Sequence, residues 1–572
     1  MNTPAPFTLT STRLGALPLI SHFAARMGLR RLLEAWMPAD DPRLALDPAA
    51  VIALLIANLA TGHRPLYALG EWAAGYQRSL LGLGRGGAAL LNDDRAGRAL
   101  DRLFRADRGS LLTELMTGVI SEFGIDCSRL HNDSTSVSVH GTYEAADGSD
   151  VAGVPTAEVT RGHSKDHRPD LKQLVFILTV SGDHAVPVIY RLADGNTSDD
   201  PAHIPTWDTL VKLTGGPDFL YVADCKLASD TAMSHIHRGG GRFITVLPRS
   251  RKEDTAFRAW IPGHQPAWAE ASRVPGTRIG DPDLVHSTYE APWPSAAGYR
   301  IVWVHDSGKQ HHDAVTRARR IEKGVKAIEE DLAARLASPR TRLRTAEAVH
   351  AAAKAALAAA HASRWVRYAV TEQTDLSRKQ AGPGRPGPGT AYRTITTRTF
   401  EMSCDVDYDQ VARDAASDGC WPLITNDQDM TGAEVLAAYH YQPNLERRHH
   451  LLKGIQDAAP AWIKTIPRIE AIFLCHFIAL LLCALIERQI KMAMKTAQIA
   501  KIPLYPELRG CAAPSADRIF EIFADLTRHE LRDADGTLVQ AFEPELTRLQ
   551  RQILDLLDIP ATAYTNINRA DR

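Results

Sequence analysis

Cysteine is scarce and scattered. Seven cysteines lie at 127, 225, 404, 420, 475, 483 and 511 in a chain of 572 residues, and no C-x-x-C pair occurs. The odd count argues against a disulfide framework and the spacing leaves a structural zinc site unsupported, so a reducing, cytoplasmic setting is expected. Net charge is missing too. Lys and Arg number 66 against 67 Asp and Glu, a net of −1, so overall charge attracts no polyanion and any nucleic-acid contact must come from local basic segments. The opening MNTPAPFTLTSTRLG has no basic-then-apolar leader pattern. One apolar run, AIFLCHFIALLLCALI at 471–486, contains His476 and is closed by Glu470 and Glu487-Arg488. It falls short of the roughly 18 residues of a membrane span, so it reads as a buried core helix and no membrane partner is expected.

What is present is ordinary globular composition, 45% hydrophobic and 23% charged, in a chain long enough for two to four domains. Residues 1–125 read as an all-α domain: ALPLISHFAARMGLRRLLEAW and DPAAVIALLIANLATG keep helical spacing, and Asn92, Asp93 and Asp94 are cap candidates for an arginine-bearing helix. Those basic helices can lie on DNA or simply face solvent. From 127 the period changes. CSRLHNDSTSVSVHG alternates like a strand, and LKQLVFILTVSGDHAVPVIYRLADGN reads as two strands joined at Gly182-Asp183. A helix with Ser198 or Asp199 near its start, a buried strand, a helix capped by Ser229 and a further strand complete residues 126–248 as an α/β unit with a mixed sheet. Residues 249–425 interrupt it with an antiparallel helical pair and strands, AGPGRPGPGT at 381–390 being a loop. Residues 426–500 are helical, and 501–572 read as a helical tail.

Three acids carry the chemical argument. Asp133 sits in a strand, where aspartate packs poorly. Asp224 ends the buried strand in FLYVADCKLAS, and the carboxyl ends of strands are where α/β sheets bind ligands. Singly, each can also be a turn or capping residue. In AAYHYQPNLERRHHLLKG, Tyr439, Gln442, Glu446 and Lys453 fall within roughly 60° of one another on a helix. Pro443 breaks that reckoning unless the helix restarts there; Glu446, His449, His450 and Lys453 all follow it. A solvated amphipathic helix is the plain alternative. Together, Asp133, Asp224 and Glu446 can hold two Mg²⁺ (or Mn²⁺) ions against a phosphodiester, with nearby Lys and Arg on the backbone. GHSKDHRPDLKQ at 162–173 reads as a polar loop whose Lys165, Arg168 and Lys172 meet DNA phosphates; a solvated loop, or a metal held by His163 and His167, are the alternatives.

These residues resemble the DDE transposases of bacterial insertion sequences, in particular the IS-four superfamily and its sixteen thirty-four subgroup. The superfamily signature Y-x2-R-x3-E-x6-K reads here Tyr439-x2-Gln442-x3-Glu446-x6-Lys453, with glutamine for arginine, and Arg447 or Arg448 as substitutes for the lost phosphate contact. HNDSTSVSV and YVADCKLAS resemble the first and second Asp motifs; GHSKDHRPDLKQ and DGNTSDDP resemble subgroup motifs. The resemblance implies an RNase H-like mixed-sheet core with an insertion between the second Asp and the Glu, preceded by a helical DNA-binding domain. It implies metal-dependent cleavage of element-end double-stranded DNA, then direct attack by the freed 3′-OH on target DNA. Tyr439 and Lys453 would contact DNA near the cleaved end, and a homodimer on paired inverted repeats, associated with a bacterial nucleoid, is expected. A non-cleaving DNA-binding descendant and a metal-dependent nuclease or phosphatase without strand joining are the rival readings.

Overall fold

The most apolar stretch of the chain forms its longest helix, Ile466–Thr496, and every residue from Ile469 to Arg488 in it is buried. Its length and hydropathy would suffice to cross a membrane, yet the chain itself covers it. The computed structural model describes residues 7–566 except 40–43, 63, 84–86, 199, 277, 279 and 459–462; Asp199, one cap candidate, lies outside the described residues. The chain divides into two compact units, Met1–Thr245 with Ala438–Arg572, and Val246–Ala437.

In the first unit the N-terminal helices wrap this central helix. Leu17–Arg26, Pro48–Ala60 and Asp93–Arg105 all pack on it. Their starts follow from local chemistry. Asp47 accepts the Ala49 amide at 3.0 Å just before Pro48, and Asn92 accepts the Arg95 amide at 2.9 Å. The first strand, β1 (Phe7–Arg13), precedes these helices. Then come β2 (Arg129–Val139), β3 (Lys172–Ser181), β4 (Pro187–Ala193), β5 (Leu220–Ala223) and β6 (Arg242–Val246). Strands β2 to β6 run in the order β4-β3-β2-β5-β6. Strands β4, β3 and β2 are antiparallel neighbours, and β2, β5 and β6 are parallel. The parallel joins need crossovers, supplied by the helices His203–Thr214 and Asp230–Arg238, the second capped by Ser229. The core is therefore a mixed α/β sheet.

The second unit carries β7 (Ala269–Val274), β8 (Leu284–Glu290) and β9 (Arg300–Asp306), which with β12 (Cys420–Thr425) form antiparallel neighbours in the order β12-β9-β8-β7. Between β9 and β12 lie a helical pair, Ser307–Lys326 running on to Ala337, then Ala346–Ala359, and a long hairpin. The pair closes on Ile328, Leu332, Ala353 and Leu357. The hairpin is β10 (Val366–Gln380) and β11 (Tyr392–Val406), with AGPGRPGPGT at its tip, where proline cannot donate to a ladder.

Two expectations are corrected. Residues 1–125 are not all-α, because β1 pairs antiparallel with β13 (Thr527–Asp533), from Phe7↔Asp533 to Arg13↔Thr527. The tail is likewise not all helical, since β13 continues to β14 (Leu538–Phe542). A strand whose partner is some five hundred residues away leaves no hairpin signal beside it.

Candidate active site

The parallel pairing of β2 and β5 ends with Asn132 opposite Ala223. The next residue in each chain is an aspartate, Asp133 and Asp224. Neighbouring strands stand about 4.8 Å apart, so the two acids leave the sheet side by side. Strand β2 continues to Val139 while β5 stops, so Asp133 sits where its strand loses this neighbour. Alternation sends Asn132 to the opposite face, where it is buried and donates to Thr179 Oγ1 at 2.9 Å. Asp224 also turns the chain: its carboxylate accepts the Lys226 amide at 3.1 Å, and its carbonyl accepts from Thr245 Oγ1. The capping reading of Asp224 thus holds alongside any chemical one.

The helix Gln442–Lys453 starts with Pro443 in its first turn, separate from the preceding helix Gly432–Tyr439. It packs on β2 through a face that buries Leu445, His449 and Leu452. His449 Nε2 lies 3.8 Å from Asp133 Oδ2. Burial pushes the imidazole down to about 3, aided by the positive charges of Lys165 and Lys453, so it is neutral at pH 7. Glu446, exposed, is one helical turn from His449 on an adjoining row. Tyr439 registers all three acids. Its phenol is pushed up first by burial and then by the charges of Asp224, Cys225, Asp133 and Glu446. Of the sequence candidates, Asp133, Asp224, Glu446 and Tyr439 therefore border one region.

The loop 161–171 closes on the same region. Lys165 Nζ donates to Ser134 O at 2.6 Å and Oγ at 2.9 Å, and stands 3.6 Å from Asp133 Oδ1. Lys453 Nζ meets Asp166 Oδ1 at 2.6 Å, tying the loop to the glutamate helix. His167 has φ +56°, so GHSKDHRPDLKQ is a turn here and not a helix presenting two histidines at one level. Arg168 points to Asp170, at 2.8 and 2.7 Å, and Lys172 Nζ donates to Thr142 O.

Two residues of the signature helix face inward. Arg448 is 2% exposed; it pairs with Glu487 at 2.9 Å and donates to the carbonyls of Ala185 and His184. Its assignment to DNA is corrected to a structural one, because a buried cation needs its carboxylate. Burial pushes the Glu487 carboxyl up, but Arg448, Lys491 and Arg447 outweigh it and hold it below the usual range. Arg447 stands 3.6 Å from the same carboxylate and stays partly open to solvent. Gln442 lies beside the buried His131. Sequence reasoning missed His449 as a neighbour of Asp133 and Asp166 as the partner of Lys453; the i,i+3 spacing from Glu446 was the available signal for the former.

Two aspartates and a glutamate supply the hard oxygen donors that Mg²⁺ or Mn²⁺ takes, and the negative charge they gather beside Tyr439 fits a cation. Among the described residues no three His, Cys, Asp or Glu side chains are drawn together closely enough to make a ready metal cluster.

Residues 9–117 match a family model described as a domain of unknown function, DUF4277. No curated protein matches the chain. Among solved structures it is similar to a cryo-EM structure of the piggyBac transposase synaptic complex with hairpin DNA. The TM-score is 0.37 and the identity 7%, over 98% of this chain and 87% of that one.

Proposed function

We propose that this chain is a DDE transposase of a bacterial insertion sequence, with an RNase H-like core in which Asp133, Asp224 and Glu446 are the catalytic acids. The observation that carries the reading is the matched exit of two aspartates from adjacent parallel strands, one step past Asn132 and Ala223, beside a phenol that feels all three acids. The mixed sheet and the helix-borne glutamate support the same reading.

In this mechanism Asp133, Asp224 and Glu446 hold two Mg²⁺ or Mn²⁺ ions. When bound, such ions make a water nucleophilic and neutralise the leaving oxygen in phosphoryl transfer. Water attacks phosphorus, the P–O3′ bond breaks, and the 3′ oxygen leaves with a proton as a free 3′-OH. That hydroxyl then attacks a phosphodiester of target DNA. Lys165 and Lys453 change partners, from Asp133 and Asp166 to phosphate oxygens. The Tyr439 phenol, kept protonated by its surroundings, donates to the phosphate beside them. Neutral His449 backs Asp133 without competing with a metal for it by charge. Arg168, Lys172, Arg447 and Gln442 have lesser roles on the DNA side. The DNA partners are the terminal inverted repeats and the target, bound by a homodimer in the bacterial cytoplasm at the nucleoid.

One observation favours a second reading. The three acids are not closed into a metal cluster, as expected of a descendant that binds element ends without cutting them. The test is incubation of the chain with element-end DNA and Mg²⁺ or Mn²⁺. Nicking followed by joining of a pre-cleaved 3′-OH end to target supports the transposase. Salt-sensitive binding without nicking supports the non-cleaving descendant, and nicking without joining a plain nuclease.

A further inference from the structure

The hairpin of β10 and β11 has a packed base and an unpacked arm. At the base, Val366 is buried on the helical pair, with Tyr368, Met402 and Cys404 packed against the same cluster. From Thr371 to Thr399 every residue is exposed except Gln380, Thr390 and Ile395, which are partly so. Each strand has 15 residues, so the ribbon is about 50 Å long at roughly 3.3 Å per residue. A two-stranded ribbon without a covered face is marginal in water. Its outer part is also basic. Between 375 and 393, Arg378, Lys379, Arg385 and Arg393 stand against the single carboxylate of Asp375. Arg398, further down, is already paired with Glu372 at 3.3 Å.

Edge protection explains some of these cations, because Lys and Arg on exposed strands block strand-to-strand aggregation. It does not explain Lys379 directly opposite Arg393. Like charges in that position destabilise a hairpin that has little else to hold it. An anion lying across the pair turns the cost into a contact. Leu376 and Arg378 share the other face with Tyr392, with Leu376 72% and Tyr392 53% exposed, so that face offers apolar contacts beside a guanidinium. A two-stranded ribbon is also one of the two elements that a B-DNA major groove admits.

We infer that the β10–β11 hairpin is a DNA-binding arm, which grips the duplex backbone through Arg378, Lys379 and Arg393 with Arg385 at its tip. The inference rests on the transposase reading for the identity of its partner as duplex DNA. Contacts of this kind are with phosphates and are independent of sequence.

The experiment measures binding of the full chain to a random-sequence duplex, in chelator, across a salt series. The triple variant R378Q/K379Q/R393Q is predicted to lose about tenfold in affinity at low salt, and its plot of log affinity against log salt to become shallower by about 2.7 for three lost phosphate contacts. R378K/R393K, which keeps the charges, is predicted to keep the wild-type slope and shows that the arm tolerates substitution. An unchanged slope in the triple variant overturns the inference, as does a change in its oligomeric state with DNA binding intact, which would make the arm a contact between copies. If the wild-type chain cuts and joins element ends while the triple variant keeps the wild-type slope, only the arm fails. If the wild-type chain binds no duplex at all, the arm and the transposase reading fall together.

Discussion

His449 and Asp133 face each other at 3.8 Å, a buried neutral imidazole behind a carboxylate at the end of its parallel pairing. The folded protein resists protonating His449 until about pH 3, whereas the unfolded chain takes up that proton near 6.5. The unfolded state therefore binds more protons between these values, and stability is lost as pH falls through the window. The slope for one such group is about 1.4 kcal/mol per pH unit. His449→Phe is predicted to flatten the dependence of the urea midpoint on pH between 6.5 and 3 by one proton. An unchanged slope would mean that His449 is not held neutral by its site.

Arg448 and Glu487 form a buried pair, and breaking one side strands the other charge. Arg448→Ala is predicted to cost about 3–5 kcal/mol in urea unfolding. A fully stable Arg448→Ala chain that had lost DNA binding would return this arginine to the phosphate role expected from sequence.

Lys453 behaves oppositely. Its pair with Asp166 is partly exposed, so Lys453→Ala is predicted to change stability by less than about 1 kcal/mol. The same variant should weaken binding to a pre-cleaved DNA end several-fold, as read by titration in chelator. Wild-type end binding by Lys453→Ala would exclude its change of partner from Asp166 to phosphate.

Divalent ions supply a readout without DNA. Mg²⁺ or Mn²⁺ at 100 times its dissociation constant is predicted to stabilise the chain by about 2.7 kcal/mol, seen as a raised melting temperature. Asp133→Ala and Asp224→Ala should each abolish the rise. A rise that persisted in either variant would place the ion elsewhere.

The sequence made the local features of this molecule readable where the deciding contacts are near in sequence. The hairpin at Gly182-Asp183 follows from two apolar strands with a turn between them, and the helix restart at Pro443 follows from the fixed φ and missing amide of proline. The apolar run at 471–486 was legible as a core helix because its flanking charges are too close for a span, and Glu487 and Arg488 are indeed buried with partners. Strand β1 was not legible, since Phe7–Arg13 is short and its ladder lies at Thr527–Asp533. At the site, residue types pointed to Asp133 and Asp224, but only register shows that they leave adjacent strands together. Arg448 misled because a charged residue on a charged helix reads as solvated; its inward turn depends on Glu487, 39 residues away.

The central claim is tested most directly by single-turnover cleavage of element-end DNA with Mg²⁺ by the wild-type chain and by Asp133→Asn, Asp224→Asn and Glu446→Gln. The account predicts that each substitution lowers cleavage by at least about a thousandfold, of the order seen when one charge-stabilising group is removed from an active site, with duplex binding in chelator kept. Wild-type cleavage by any one of the three would contradict it.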